Sequence, residues 1–124
     1  MKKRILVVDD EPAMTRMIKL NLEQTGRYEV RTENLGPKAI AAAREFRPDL
    51  ILLDVMMPDV LGSEIAAQLE ADPELRAIKF VFLTAMVTKE EAQRSFGQIG
   101  GHTFLAKPIS ADDLCRVVDE QLRQ

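Results

Sequence analysis

Short apolar runs recur along the chain at Ile5-Leu6-Val7-Val8, Leu50-Ile51-Leu52-Leu53 and Phe80-Val81-Phe82-Leu83. Runs this short, rich in branched side chains and uninterrupted by polar residues, predict strands covered on both faces. Two weaker strands complete the set. Tyr28-Glu29-Val30-Arg31-Thr32 alternates polar and apolar, as an edge strand does, and the mixed stretch from His102 to Ala106 suits the opposite edge. The intervening segments have helical spacing. Pro12 to Thr25 carries Met14, Met17, Ile18 and Leu22, opens on Pro and stops at Gly26. A second helix runs from about Gly36-Pro37 through Ala39, Ile40 and Ala43 to Phe46, ending before Pro48. A third covers about Gly62 to Ala71. Thr88-Lys89-Glu90-Glu91 and Ser110-Ala111-Asp112-Asp113 resemble capping boxes opening a fourth and a fifth helix. The fifth keeps Leu114, Val117, Val118 and Leu122 on one face.

Five alternations of strand and helix predict an α/β fold, a parallel sheet with helices on both faces. The three apolar strands belong at the centre. Right-handed crossovers and short connections then give the order 2-1-3-4-5, a flavodoxin-like (βα)5 three-layer sandwich.

Composition narrows the class. The 124 residues suit one domain spanning 1–124, with no output domain expected in this chain. One cysteine, Cys115, cannot form an internal disulfide and points to a reducing compartment. No apolar run approaches the roughly 20 residues of a membrane span, and the four-residue run after Met1-Lys2-Lys3-Arg4 is too short for a signal peptide. A net charge of -3 offers no electrostatic case for nucleic acid. The expectation is a cytoplasmic domain with no membrane attachment and no direct nucleic-acid contact.

In such sheets, ligands bind beyond the carboxyl ends of the strands, where the winding reverses, here between strands one and three. Asp9-Asp10 and Asp54 stand at those two ends. Singly, Asp10 or Glu11 is also a residue type that caps a helix, and Asp54 one that sits in a turn. Three acids flanking one switch point favour a shared role. Carboxylates about 4 Å apart repel by about 4 kcal/mol at an effective dielectric near 20, so such a cluster takes up protons or binds a cation. All-oxygen donors select a hard ion such as Mg²⁺. Thr84 and Lys107 end strands four and five on the same rim. A hydroxyl, an ammonium and a divalent cation around a carboxylate are what phosphoryl transfer to that carboxylate requires, with Asp54 supplying the attacking oxygen.

The runs Ile5–Pro12 and Pro48–Pro58, the end Leu83-Thr84-Ala85 and the segment Phe104-Leu105-Ala106-Lys107-Pro108 resemble, in order and spacing, the receiver domain of bacterial two-component response regulators. The resemblance covers essentially the whole chain. It implies that Asp54 accepts a phosphoryl group from a sensor histidine kinase or a histidine phosphotransfer protein. It further implies that Asp10, Asp54 and the backbone carbonyl of Met56 hold Mg²⁺ (or Mn²⁺) directly and Asp9 through water, and that Thr84, the amide of Ala85 and Lys107 bind the phosphoryl oxygens. Thr84 and Phe104 take the switch positions, Phe104 where the family commonly has Tyr. The Lys107-Pro108 bond is expected to be cis, and a downstream effector protein or a missing output domain to receive the signal, with a phosphorylation-dependent homodimer as one form of output.

Several residues depart from the family or tune it. Gly101 stands where Ala is usual. His102, the only histidine, is expected to be a solvated edge residue. Met56 and Met86 follow Asp54 and Thr84 by two residues and would offer an attacking water no hydrogen-bond partner, predicting a long-lived phosphorylated form. The fourth helix, with only Ala92, Phe96 and Ile99 as its apolar face and Gly97 inside it, is expected to join strand five and the fifth helix as the remodelled surface. Two alternatives remain open here: an Asp-nucleophile phosphatase, and a pseudo-receiver that binds partners without phosphorylation.

Overall fold

The computed structural model describes residues 2–85, 98–99 and 102–123. Its elements are β1 (Lys3–Val8), α1 (Pro12–Glu23), β2 (Tyr28–Glu33), a 3₁₀ turn (Gly36–Lys38) leading into α2 (Ala39–Phe46), β3 (Leu50–Asp54), α3 (Gly62–Ala71), β4 (Lys79–Thr84), β5 (Gln98–Ile99), β6 (His102–Ala106) and the C-terminal helix α4 (Ala111–Leu122). Five strands are parallel in the expected order, β2-β1-β3-β4-β6. The short β5 pairs antiparallel along the outer edge of β6. The fourth helix expected from Thr88, with Met86, Ala92, Phe96, Gly97 and Gly101, lies outside the described residues.

Alternation along each strand sorts the core into two layers. Ile5, Val7, Leu50, Leu52, Val81 and Leu83 pack with Ile18 and Leu22 of α1 and with Leu114, Val117 and Val118 of α4. Leu6, Val8, Ile51, Leu53 and Phe82 pack with Ala39, Ala42 and Ala43 of α2 and Ile65 and Leu69 of α3. Both faces of the central strands are therefore covered by apolar side chains, which is why those strands read as unbroken runs. Among the described residues no helix is long and apolar enough to cross a membrane.

The helix boundaries follow local chemistry. Pro12 opens α1, and Arg47 takes a left-handed φ of 51° after α2, just before Pro48. Ser110 Oγ accepts from the Asp113 amide at 3.1 Å, capping α4 as its sequence predicts. The far end of α4 is tied to both sides of the sheet. Lys79 Nζ donates to the Gln121 carbonyl at 2.8 Å, while Arg27 and the Tyr28 hydroxyl donate to Asp119.

Two expectations are corrected. Ile99, assigned to the face of the fourth helix, instead lies in β5 opposite His102. Two consecutive glycines follow Ile99 in the sequence, and glycine is a poor helix former. His102 is half-buried rather than solvated, its ring 5.5 Å from those of both Phe80 and Phe82. Alternation on β6 puts it on the same face as Phe104, whose partner across the pair is Phe82.

Candidate functional site

Strand register builds the site. Val8 pairs with Leu53, so one further residue on each strand brings Asp9 beside Asp54. Asp54 pairs with Leu83 and Thr84 with Ala106, and the Lys107 amide donates to the Thr84 carbonyl at 2.8 Å. The parallel sheet thus delivers Asp9, Asp10, Asp54, Thr84 and Lys107 to one rim. One carboxylate oxygen from each of Asp9, Asp10 and Asp54 lies within 4.8 Å of the others. Asp9 and Asp54 are buried and Asp10 is the most solvent-facing of the three.

Charge dominates the pocket. At 4.8 Å and an effective dielectric near 20, each carboxylate pair repels by about 3 kcal/mol. Burial first, and the Asp9 charge second, push the Asp54 carboxyl up to about 6, against the attraction of Lys107 and a hydrogen bond from the Met56 amide. Lys107 is the counterweight. Its Nζ lies 2.8 Å from Asp9 Oδ2, 3.4 Å from Asp54 Oδ1 and 3.8 Å from Glu11 Oε1. Burial works against its charge, but the hydrogen bond and charge of Asp9, with Asp54 behind them, hold its pKa above the ordinary lysine value.

The caps anticipated at Asp10 or Glu11 do not form. Glu11 stands at the N-cap of α1 without a side-chain cap bond. Instead, its amide donates to Asp9 Oδ1 at 3.0 Å. The other Asp9 oxygen, Oδ2, is fully buried and faces the Lys107 ammonium at 2.8 Å. Three carboxylates gathered within 4.8 Å, offering only oxygen donors and only partly balanced by the Lys107 ammonium, fit a hard divalent cation such as Mg²⁺.

The remaining expected residues sit around this centre. Thr84 is buried and Ala85 exposed at the end of β4. The Met56 side chain is 56% exposed beside the acids. Phe104 is half-buried two residues from the rim, its ring 5.3 Å from that of Phe82. The Lys107-Pro108 peptide is cis, as expected.

Three supporting residues escape the sequence reading. A side chain at Gly62 would overlap the Asp54 carbonyl oxygen, and the Gly62 amide donates to the Val55 carbonyl at 2.9 Å. The first turn of α3 therefore rests directly on the backbone of Asp54. A glycine as the first helical residue, where its poor propensity needs a reason, is the available signal. Asn34, just past β2, and the buried Thr15 of α1 form a polar bridge to Asp9. Neither belongs to a sequence motif.

The family model of the response regulator receiver domain matches residues 5–119. The polar-differentiation response regulator DivK of Brucella anthropi is 34% identical over 122 residues, 98% of each chain. The alkaline phosphatase synthesis transcriptional regulatory protein PhoP of Bacillus subtilis is 37% identical over 127 residues, all of this chain but 50% of that one. Among solved structures, the chemotaxis protein CheY4 of Vibrio cholerae superposes with a TM-score of 0.83 at 28% identity, covering 98% of this chain and 100% of that one.

Proposed function

Since this chain belongs to the response regulator receiver family, we propose that it is a phosphorylation-activated signalling switch whose phospho-acceptor is Asp54. The observation carrying the reading is the meeting of Asp9, Asp10 and Asp54 within 4.8 Å, with the Lys107 ammonium 3.4 Å from Asp54 Oδ1. The donor is the phosphohistidine of a sensor histidine kinase or a histidine phosphotransfer protein. The P–N bond to the donor imidazole breaks as a bond forms from an Asp54 carboxylate oxygen to phosphorus, and the freed ring nitrogen takes a proton from water. Asp54 attacks as the carboxylate, the form that a pKa of about 6 leaves dominant above neutral pH.

Asp9, Asp10, Asp54 and the Met56 carbonyl would hold Mg²⁺ (or Mn²⁺). When bound, the ion offsets the crowded carboxylates and the charge on the phosphoryl oxygens. The chain's own groups do the rest: Lys107, the Thr84 hydroxyl and the Ala85 amide receive the phosphoryl oxygens. Burial of Asp54 restricts water around the product. Thr84 and Phe104 then relay the change to a surface comprising β6, α4 and the segment from Thr88 for which the sequence predicts a helix. The signal leaves through a protein effector, through a second copy of this chain, or through a segment outside it.

Incubation with acetyl phosphate and Mg²⁺, followed by intact-mass measurement, tests the proposal. It expects one added phosphoryl group that Asp54→Asn abolishes. A Mg²⁺-dependent phosphatase activity on small esters without an adduct would replace the receiver reading with an enzyme. Neither adduct nor activity would leave a phosphorylation-independent interaction module.

A further inference from the structure

The acids of the rim are presented by a three-residue turn, Asp9-Asp10-Glu11, between β1 and α1. Two bonds pin that turn at its base. The Asp9 amide donates to the Glu33 carbonyl of β2 at 3.1 Å, and the Asp9 carbonyl accepts from Asn34 Nδ2 at 2.8 Å. The same Asn34 nitrogen donates to Thr15 Oγ1 at 3.0 Å, and that hydroxyl donates onward to the Pro12 carbonyl at 3.1 Å. Both amide hydrogens of Asn34 are therefore committed, one to the end of β1 and one to the first turns of α1. Thr15 is only 2% exposed, so this end of the bridge is shielded from water.

The geometry matters because the peptide unit is planar. The Asp9 carbonyl and the Asp10 amide lie in one rigid plane. Holding that oxygen sets the ψ of Asp9 and the φ of Asp10, and so the direction in which Asp10 leaves the backbone. Asp10 is the one acid of the three that is not enclosed by the core. Its neighbours Asp9 and Asp54 are held by Lys107, whereas Asp10 depends on its backbone for direction.

We propose that Asn34, braced by Thr15, is a positioning residue for the divalent cation, acting through the Asp9–Asp10 peptide plane rather than by contact with the ion. The inference rests on the Mg²⁺ reading of the rim given above. Supporting residues one step removed from a metal typically change its affinity by on the order of tenfold or more when removed.

The test is Mg²⁺ titration by calorimetry on the intact chain. Asn34→Ala raises the Mg²⁺ dissociation constant on the order of tenfold. Val118→Ala, a core truncation in α4 remote from the rim, serves as a destabilised control and keeps its affinity within about twofold. Because Asn34→Ala can also weaken folding, Thr15 supplies a second arm. Thr15→Ser retains the hydroxyl and binds Mg²⁺ close to wild type, whereas Thr15→Val keeps the shape, loses the hydroxyl and weakens binding severalfold. Wild-type affinity in both Asn34→Ala and Thr15→Val, or equal weakening in Thr15→Ser and Thr15→Val, overturns the positioning role alone. Absence of Mg²⁺ binding by the wild type overturns the cation reading itself, and the positioning role with it.

Discussion

Removing the Asp54 charge is expected to stabilise the metal-free protein, by an amount that depends on pH in a defined direction. Asp54 is 4% exposed and has Asp9 beside it, and its carboxyl is pushed from the ordinary 3.8 to about 6. A folded-state pKa above the unfolded value means that the folded chain holds the proton more tightly. Stability contributed by this group is therefore complete below the unfolded value of 3.8 and is lost as pH rises through about 6. At 1.36 kcal/mol for each tenfold change in acidity, the loss is about 3 kcal/mol. The amide introduced by Asp54→Asn mimics the neutral acid, and Lys107 keeps Asp9 as a partner at 2.8 Å. The variant should thus exceed wild type by about 3 kcal/mol near pH ~7.5 and match it near pH ~3. In melting temperature the gain is on the order of 10 °C for a chain of this size. Urea unfolding followed by far-ultraviolet circular dichroism is the appropriate assay, since the chain has no Trp. Comparing the variant with wild type at each pH cancels the other titrating groups. Added Mg²⁺ should narrow the gap by stabilising the wild type preferentially. An equal gain at both pH values, or none at the higher one, would refute the electrostatic account of the pocket.

Lys107→Met leaves the fully buried Asp9 carboxylate without its cation, so the metal-free protein should lose about 3 kcal/mol; urea unfolding should show part of that loss restored by Mg²⁺. Gly62→Ala forces α3 away from the Asp54 carbonyl. It should cost about 1–3 kcal/mol and slow acetyl phosphate labelling, read by intact mass over time. Met56→Asn places a hydrogen-bonding group at an exposed position beside the acceptor. Stability should change by no more than about 0.5 kcal/mol, while phosphate release from the labelled protein accelerates; unchanged or slower release would count against the water-exclusion role of Met56.

The unbroken apolar runs of β1, β3 and β4 disclosed strands buried on both faces, because alternation leaves such a strand no face for polar residues. Fixing those three at the centre ordered the sheet, and a parallel sheet has a single carboxyl rim. Asp9, Asp10, Asp54, Thr84 and Lys107 could therefore be placed together from their positions at strand ends. Periodicity weakens at the margins of the sheet. Ile99 has helical spacing with Phe96 and Ala92, yet pairs with His102; a two-residue strand has no period to detect. His102 looked solvated for the related reason that its neighbours, Phe80 and Phe82, come from another strand.

The sequence by itself determined which residues face the core, where strands end, and hence which carboxylates share a rim. Those properties are local and repeat every two or three to four residues. Tertiary structure alone decided that Lys107 answers three acids at once, that Gly62 rests on the Asp54 carbonyl, that Asn34 and Thr15 brace the Asp9–Asp10 peptide, and that burial raises the Asp54 carboxyl to about 6. Each of these depends on ångström-scale separations between atoms far apart in the chain. Hydrogen bonds and carboxylate charges respond to those separations, and residue order does not encode them locally.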